Sequence, residues 1–351
     1  MIVRTLKLRL SKSQEVQLEQ WLWNLTGLYN WGLKKIEHDA QNKIFHSGFD
    51  FVNLVAGHSG RMEIPSHTMQ GILSQVHVAW QRCFKKISKK PRLKGRRNRL
   101  NSIPFPDPIK EPKNNRLSIP GLGKIRYYKQ ELPKAKIKFG RILKKSSGWY
   151  LCLWLDADNK FGVKDTDEVV GIDPGFSTLL TLSDRTKIEN PRELRKGAKR
   201  FAQAQRGHNK KLVARLQEKQ ANRRNDRNHK ISRKLVENYK TIYYSDDNFK
   251  AMAKRFGKSV SEAGLADLIN KIIYKGKVCG RVIKPINSKF TTMTCSNCGA
   301  LTGPTGLSGL AVRHWICSAC GAQHDRDVNS SQVVFNVGAG IAHGEEFRHN
   351  V

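Results

Sequence analysis

Acidic residues are scarce in this sequence. Its 351 residues include 29 Asp and Glu against 64 Lys and Arg, which gives a formal net charge of +35. Such a surplus destabilises a compact fold by self-repulsion unless a polyanion neutralises it, and nucleic acid is the polyanion that makes this composition useful. The charge balance therefore argues against an ordinary metabolic dehydrogenase and predicts a nucleic-acid-binding protein.

Long apolar segments are also missing. The longest uninterrupted run, Trp149 to Leu155, has seven residues, whereas a helix that crosses a membrane needs roughly 20. The N-terminal segment mixes Arg and Lys with apolar side chains and has no apolar core followed by a small-residue cleavage site. We therefore expect no membrane partner and no secretory signal, and we predict a cytoplasmic protein.

Cysteine is used in a pattern that favours metal binding over disulfides. The chain has seven cysteines, an odd number, and four of them form two Cys-x-x-Cys pairs separated by 18 residues. This spacing predicts a structural zinc site with four thiolate ligands. The expected ligands are Cys295, Cys298, Cys317 and Cys320. Because four thiolates complete a tetrahedron, neither His314 nor His324 is expected to bind the metal.

Basic residues are concentrated in two stretches. Between Arg82 and Arg99, ten of 18 residues are Lys or Arg and none is acidic, and between Arg192 and Lys240 there are 17 Lys and Arg against four acids. Pro and Gly make a helix improbable in the first stretch. A solvated surface is the alternative reading for either. The expected nucleic-acid-binding residues are Lys89, Lys90, Arg92, Lys94, Arg96, Arg97 and Arg99.

The hydrophobic pattern changes twice along the chain. Residues 2–10 alternate apolar and basic side chains, which is typical of a half-buried strand, and residues 11–36 and 67–86 show helical spacing, which predicts a small helical domain. The first helix contains three tryptophans that we expect in the core. Residues 101–160 consist of short β-rich segments broken by Pro and Gly. From residue 165 onward, strands and helices alternate, so the pattern predicts a multidomain protein, α+β first and α/β afterwards.

Two acidic positions indicate a second metal site. Asp173 follows a predicted strand, Glu168 to Ile172, and precedes a Pro-Gly turn. A carboxylate there is suited to Mg²⁺ in phosphoryl-transfer sites, although Asp is also common in turns. Asp327 opens the last predicted helix. If that helix packs beside the first strand, Asp173 and Asp327 share one or two metal ions.

The order of these motifs resembles that of the TnpB (OrfB) family of insertion-sequence transposons, which are relatives of type V CRISPR effectors. Gly171–Gly175 (GIDPG) comes first, then the two cysteine pairs, then Asp325–Asn329 (DRDVN). Further likenesses are Leu28–Leu33, Pro91–Lys94 and Lys289–Thr292. Together they extend over nearly the whole chain.

The resemblance implies a domain organisation. A β-rich wedge domain would comprise residues 1–10 and 101–160, with a helical recognition domain, 11–100, inserted in it. An RNase H-like (RuvC) nuclease domain would follow at 165–351 and carry a zinc ribbon at 289–323.

It also implies an RNA-guided DNA endonuclease with a guide RNA and double-stranded and single-stranded DNA as partners. The cofactors would be one structural Zn²⁺ and two catalytic Mg²⁺ ions. Asp173 would be the first RuvC carboxylate and Asp327 the third, with Asp325 the less favoured ligand. We assign the Arg82–Arg99 stretch to RNA or heteroduplex contact.

One position departs from the family. The second RuvC motif commonly starts with a glutamate, and the residue that aligns with it here is Ser245. Side chains alternate faces along a strand, so Asp247, and not Asp246, is the nearest substitute. Glu262, in the helix that follows, is a second candidate. If neither serves, the protein is a nuclease-impaired RNA-guided DNA-binding protein, either a repressor or a transposon accessory protein.

Overall fold

The computed structural model describes residues 1–157, 161–306 and 308–341. The chain is a mixed α/β protein that divides into two compact units, Met1–Asn159 and Lys160–Val351. Each unit has its own apolar core. Within the described ranges, no helix is both long enough and apolar enough to cross a membrane.

In residues 1–157, helices pack on an antiparallel sheet and share one core with it. The helices are α1 (Lys12–Gln41), α2 (Gly48–Asn53), α3 (Ser59–Met62) and α4 (Ser66–Phe84). The strands are β1 (Ile2–Arg9), β2 (Ser102–Phe105), β3 (Arg116–Ile119), β4 (Gly123–Tyr127), β5 (Ile137–Lys145) and β6 (Gly148–Leu155). The sheet order is β2-β5-β6-β1-β4-β3, so the first strand lies between strands from much later in the chain.

Helix α1 begins at a capping box, in which the Ser11 side chain accepts a hydrogen bond from the Gln14 backbone and the Gln14 side chain accepts one from the Ser11 backbone. Trp21 is buried in the core, as expected. Trp23 and Trp31 are 55% and 42% exposed, so the expectation that all three tryptophans are core is wrong. The reason is helical geometry, because at 3.6 residues per turn Trp23 lies about 160° and Trp31 about 80° around the helix from Trp21.

The second unit is built on a mixed sheet with the order β11-β10-β7-β8-β9. Its strands are β7 (Val169–Pro174), β8 (Thr178–Leu182), β9 (Lys187–Glu189), β10 (Thr241–Ser245) and β11 (Val282–Ile286). Strands β7, β8 and β9 pair antiparallel, whereas β10 runs parallel to β7 and β11. Consequently β7 and β10 end at the same edge of the sheet.

Helices connect and cover these strands. They are α5 (Glu193–Lys196), α6 (Ala198–Arg206), α7 (Lys210–Asn238), α8 (Phe249–Ala263), α9 (Leu265–Val278) and α10 (Arg326–Ala339). A small antiparallel pair, β12 (His314–Ile316) with β13 (Gln323–Asp325), precedes α10. The sequence predicted one helix from about residue 261 to 274, but Gly264, with a φ of +62°, ends α8 and separates it from α9.

Helix α10 packs tightly against β7 and β10. A Cβ atom at Gly171 in β7 would overlap the Ser331 carbonyl oxygen and the Phe335 backbone nitrogen, and one at Gly338 in α10 would overlap the Tyr243 ring. Glycine at these positions allows the helix backbone to approach the strands closely. This packing brings the first turn of α10 beside the end of β7, where Asp173 lies.

Candidate functional site: a carboxylate group and a four-cysteine cluster

Asp173 lies near the end of β7, opposite Thr181 of β8. The residue keeps some exposure, but burial of its carboxyl group is the largest cause that raises its pKa well above the ordinary value. The charges of Asp247 and Asp327 raise this pKa further, while Ser330 and Arg326 oppose the shift. The three aspartates are therefore electrostatic neighbours, although 154 residues separate Asp173 from Asp327 in sequence.

Asp247 reaches this group because it follows β10, the parallel neighbour of β7. Ser245 is buried and its hydroxyl donates to the Asp247 carboxylate at 3.3 Å, whereas Asp246 is exposed. Burial raises the pKa of Asp247, and hydrogen bonds from Ser288 and Ser245 partly offset the rise. Ser245 and Asp247 thus lie on the same face, and Asp246 lies on the other.

Asp327 is the second residue of α10, and Asp325 is its N-cap. The Asp325 carboxylate accepts hydrogen bonds from the backbone amides of Asp327 and Val328 at 3.1 and 3.0 Å, and it pairs with Lys187 at 2.7 Å. Asp327 lies 3.5 Å from the Arg313 guanidinium. Asp325 is therefore engaged in capping, which leaves Asp327 as the carboxylate whose charge reaches Asp173.

Glu262 lies elsewhere in the second unit. Its carboxylate is buried near the end of α8, where it accepts the Arg195 backbone N–H at 3.1 Å and pairs with the Arg195 guanidinium at 3.2 Å. It is not one of the charges that chiefly shift the pKa of Asp173. The structure brings Asp247 to the group and leaves Glu262 bound to arginine.

Two polar residues of this group were not identified from the sequence. The Ser330 hydroxyl is buried and lowers the pKa of Asp173, yet it makes no well-formed hydrogen bond within the described chain. The Arg326 Nε is likewise buried without a hydrogen bond there, although it lies 4.0 Å from the Asp327 carboxylate. Ser330 follows Asp327 by three residues, and this helical spacing was the available signal.

The carboxylate group offers hard oxygen donors, which suit Mg²⁺. The raised pKa of Asp173 and the unpartnered Ser330 hydroxyl fit a place where a cation would offset like charges. Even so, only one group of three or more His, Cys, Asp or Glu side chains within the described ranges is close enough together to hold one ion. That group is the four cysteines. Any ion among the aspartates would need them to move closer together or would use fewer protein ligands.

The four cysteines form a compact cluster. Their sulfur atoms lie within 4.8 Å of one another, with 3.7 Å between Cys295 and Cys320 and between Cys298 and Cys317. Four sulfurs at about 2.3 Å from a tetrahedral zinc would be about 3.8 Å apart, so the cluster fits the metal. Gly299 and Gly321, at φ of +81° and +73°, close the two turns.

The surroundings of the cluster include a histidine and the last helix. His324 Nε2 lies 3.0 Å from the Cys295 sulfur, and the His324 ring packs against Trp315. Asn329 of α10 donates to the Thr294 carbonyl at 2.7 Å and accepts from the Ser296 amide at 2.8 Å. The first cysteine turn is thereby hydrogen-bonded to α10.

The basic segment Lys85–Leu100, which follows α4, has no regular secondary structure and lies along α1. Asn30 of α1 exchanges two hydrogen bonds with the Lys94 backbone, at 2.8 and 2.7 Å. Arg99 pairs with Glu19 at 2.7 Å, and Lys90 pairs with Glu37. Two of the family-like motifs, Leu28–Leu33 and Pro91–Lys94, therefore meet.

The remaining predicted nucleic-acid contacts in this segment are exposed. They are Lys89, Arg92, Arg96 and Arg97. None of them forms an ion pair with a described residue. Of the nine cations in the segment, Lys90 and Arg99 thus pair with acids of α1, whereas these four face solvent.

These features define a class: mixed α/β proteins with a strongly basic surface, an acidic group at a sheet edge and a four-cysteine metal site before the last helix. Two family models match within the second unit. Residues 157–255 match "Probable transposase" (OrfB_IS605), and residues 266–334 match "Cas12f1-like, TNB domain".

The chain is similar to a Streptomyces pristinaespiralis protein named "Putative RNA-guided DNA endonuclease". The identity is 30% over 306 residues, which cover 82% of this chain and 75% of the relative. It is also 24% identical to InsQ of Escherichia coli K12, named "Putative RNA-guided DNA endonuclease", over 80% of this chain and 77% of that protein. The chain belongs to the TnpB (OrfB) family.

A solved structure, the cryo-EM complex of Cas12f1 with sgRNA and target DNA, aligns over 96% of this chain and 99% of that one. The sequence identity is 20% and the TM-score is 0.40.

Proposed function

We propose that this protein is a transposon-associated, RNA-guided DNA endonuclease that hydrolyses phosphodiester bonds at a RuvC-type site. The observation that carries the proposal is the convergence of three aspartates, Asp173 on β7, Asp247 after the parallel strand β10 and Asp327 in the first turn of α10, close enough that the other two charges raise the pKa of Asp173. Like charges gathered in this way are costly unless a cation or a reaction uses them. The names of the relatives support an activity of this kind.

The proposed site consists of Asp173, Asp327 and Asp247. Two Mg²⁺ ions, when bound there, would supply an activated water and stabilise the leaving 3′ oxygen. Asp173, fixed on the central strand, sets the position of the site, while Asp247 replaces the family's glutamate from two residues further on. The Ser330 hydroxyl would donate a hydrogen bond to the ionised Asp173 carboxylate, or accept one from the protonated carboxyl group.

The domains are assigned in the same proposal. Residues 1–10 and 101–160 form the wedge domain, 11–100 the recognition domain, and 165–351 the RNase H-like domain with the zinc ribbon at 289–323. The three antiparallel strands extended by two parallel strands support the RNase H-like assignment. The exposed cations of the Lys85–Leu100 segment would contact phosphates of guide RNA or heteroduplex, and base pairing would supply the sequence specificity.

The four-cysteine cluster is proposed to bind zinc in a structural role. Its sulfurs satisfy a tetrahedral ion and leave no open position for substrate. His324 would then serve as a neighbour of Cys295 and not as a ligand.

A second function is favoured by one observation, the buried hydroxyl of Ser245 at the glutamate position. A hydroxyl is a poor Mg²⁺ ligand, so the loss of this carboxylate would leave RNA-guided DNA binding without cleavage. Such a protein would act as a repressor or as a transposon accessory protein.

The two functions are separated by one assay. The full chain is purified with its co-expressed RNA and incubated with Mg²⁺ and a plasmid that matches the guide. A linear product that disappears in Asp173→Ala supports the endonuclease. Tight, salt-sensitive binding of the matched plasmid without breaks supports the binding protein.

The third carboxylate is tested by Asp247→Ala, with Asp246→Ala as the matched control. We expect Asp247→Ala to lower the cutting rate by at least about 100-fold, because electrostatic stabilisation of the transition state is lost. Asp246→Ala should cut like wild type. Glu262→Ala should be less stable than wild type, because Arg195 loses its partner. Its cutting rate per folded molecule should stay near that of wild type. The reverse pattern would make Glu262 the third ligand.

A further inference from the structure

The first unit contains a pocket of about 160 Å³ between α1, α4 and the loop before α2. Aromatic rings dominate its lining, which includes Phe45, Phe51, Trp80 and Phe84. Trp80 and Phe84 stack on each other with their ring centres 5.3 Å apart. An apolar cavity of about 150 Å³ is large enough for a benzene ring. The pocket is therefore of a size to admit one planar ring system.

Polar groups in the lining are arranged for a ligand that has hydrogen-bonding edges. Trp80 is 7% exposed, and its indole N–H has no hydrogen-bond partner in the described chain. A buried donor without a partner costs about 1–3 kcal/mol. An acceptor on a bound ring would remove that cost.

The pocket also carries a fixed negative charge. Asp39 is 1% exposed, accepts a hydrogen bond from Lys35 at 2.6 Å and lies 2.8 Å from His46 Nε2. The hydrogen bond from Lys35 is the largest cause that lowers the pKa of Asp39, to about 2. The described lining includes this paired carboxylate and no Lys or Arg, so it offers no cation to hold a phosphate inside the pocket.

Cations stand directly outside. Lys90 lies over the Trp80 ring, with its Nζ 5.8 Å from the ring centre, and also pairs with Glu37 of α1. The pocket thus has aromatic rings in its lining and one cation of the Lys85–Leu100 segment next to them. Unpaired RNA bases are recognised by this combination, in which the base stacks on an aromatic ring and the phosphate meets a cation.

We propose that this pocket holds one unpaired nucleobase of a bound RNA, stacked against the Trp80–Phe84 pair, with its phosphate outside near Lys90. The proposal rests on the RNA binding that the proposed function assigns to this chain. It adds a site that reads a base directly, independent of base pairing between guide and target.

The test uses the full chain and two labelled oligomers, an oligouridylate and the same ribose-phosphate oligomer with abasic spacers. Phe84→Ala is the variant of choice, because Phe84 is 51% exposed and its removal should not unfold α4. We expect Phe84→Ala to weaken oligouridylate binding at least about fivefold, the lower end of the range for one stacked base. Its affinity for the abasic oligomer and its salt dependence should equal those of wild type, since no phosphate contact is lost.

Phe49→Ala is the matched control, because Phe49 is 75% exposed but does not line the pocket. Trp80→Phe keeps a ring and removes the N–H, so it should lose less affinity than Phe84→Ala. An RNA with 5-iodouridine should photo-crosslink to the peptide that contains Trp80 and Phe84. Unchanged oligouridylate binding by Phe84→Ala, or an equal loss on the abasic oligomer, would overturn the proposal.

The outcomes separate this site from the nuclease. A third labelled probe, an oligodeoxyuridylate of the same length, distinguishes RNA from DNA. If it binds with the same dependence on Phe84, the pocket serves DNA and the assignment to RNA is wrong. If Phe84→Ala binds like wild type while the wild-type chain still cuts the matched plasmid, the pocket proposal fails alone. A wild-type chain that binds no RNA would contradict both proposals.

Discussion

The pKa of the Asp173 carboxyl group reflects its burial and its acidic neighbours. Its raised pKa means that the folded chain keeps a proton that the unfolded chain, with an ordinary value of 3.8, has released. Between those two pKa values the folded state binds more protons, so stability falls as the pH rises. Burial causes most of this effect, and the neighbouring aspartates add to it.

Replacing Asp173 with Asn should therefore stabilise the protein in a pH-dependent way. In Mg²⁺-free buffer we expect no gain near pH 4 and a gain that grows as the pH rises to 7.5, because only the ionised Asp173 carboxylate is penalised by burial and by its acidic neighbours. Thermal unfolding across this pH range measures the difference. Asp246→Asn, at an exposed carboxylate, should show no such trend. An equal gain for Asp173→Asn at every pH would contradict the assignment.

The roles of individual residues were predictable from the sequence where their spacing along the chain alone determines them. The four cysteines and the Ser11 capping box depend on local spacing, and the structure groups the cysteines and forms the cap. The neighbourhood of Asp173 and Asp327 was only a conditional prediction from the strand and helix pattern, supported by the resemblance, because it depends on packing between distant segments. The position of Glu262 could not be predicted, since nothing in its own segment indicates that Arg195 meets it.

At the scale of elements, the contact between β7 and α10 determines whether the carboxylates meet. The sequence favoured a strand and a terminal helix, but the closeness of their backbones follows from Gly171 and Gly338, whose role is visible only in three dimensions. A glycine in a strand pattern indicates several different features, so its meaning here was not predictable.

Gly171→Ala should push α10 away from β7. We expect a loss of about 1–3 kcal/mol in the free energy of unfolding, the usual cost of overpacking, together with slower cutting. Urea unfolding measures the first effect and the plasmid assay the second. Gly27→Ala in α1 is the control, because a Cβ there meets no atom within 4 Å, and it should be neutral or stabilising by up to about 1 kcal/mol. Equal stability of Gly171→Ala and wild type would show that α10 is free to shift.

The four-cysteine cluster is an element that its metal should hold together. Cys298→Ser is expected to lose the zinc and to unfold residues 289–323, because metal binding and folding are coupled in such sites. Metal analysis and thermal unfolding measure the two effects. Cys83→Ser removes a cysteine outside the cluster and should keep the full metal content. Stoichiometric zinc in Cys298→Ser with unchanged melting would refute the four-thiolate site.

At the scale of the whole molecule, the net charge of +35 sets the dependence on salt. The sequence shows where the cations cluster. It does not show which of them pair with acidic side chains in the fold. That division depends on acids elsewhere in the fold, such as Glu19 and Glu37, which pair with Arg99 and Lys90.

Neutralising the exposed cations Arg92, Arg96 and Arg97 together as glutamines should reduce the slope of log affinity against log salt by about 2, at about 0.7 per phosphate contact on single strands. Stability should change little. The matched triple variant of Lys90, Lys94 and Arg99 should instead lower stability, because Lys90 and Arg99 pair with acids of α1 and the Lys94 ammonium lies over the Tyr29 ring of that helix. Titrations of a single-stranded RNA at several salt concentrations test both. Identical slopes for wild type and the exposed triple variant would remove this segment from the interface.

The hydrogen bonds from Asn329 to the first cysteine turn have a consequence for how the protein would respond to its environment. They connect the last helix, and with it one acid of the proposed catalytic group, to the cluster proposed to bind a structural zinc. Cleavage would then require both metals, so abundant magnesium could not compensate for scarce zinc. A cell starved of zinc should accumulate protein that still associates with RNA but has lost its ability to cut.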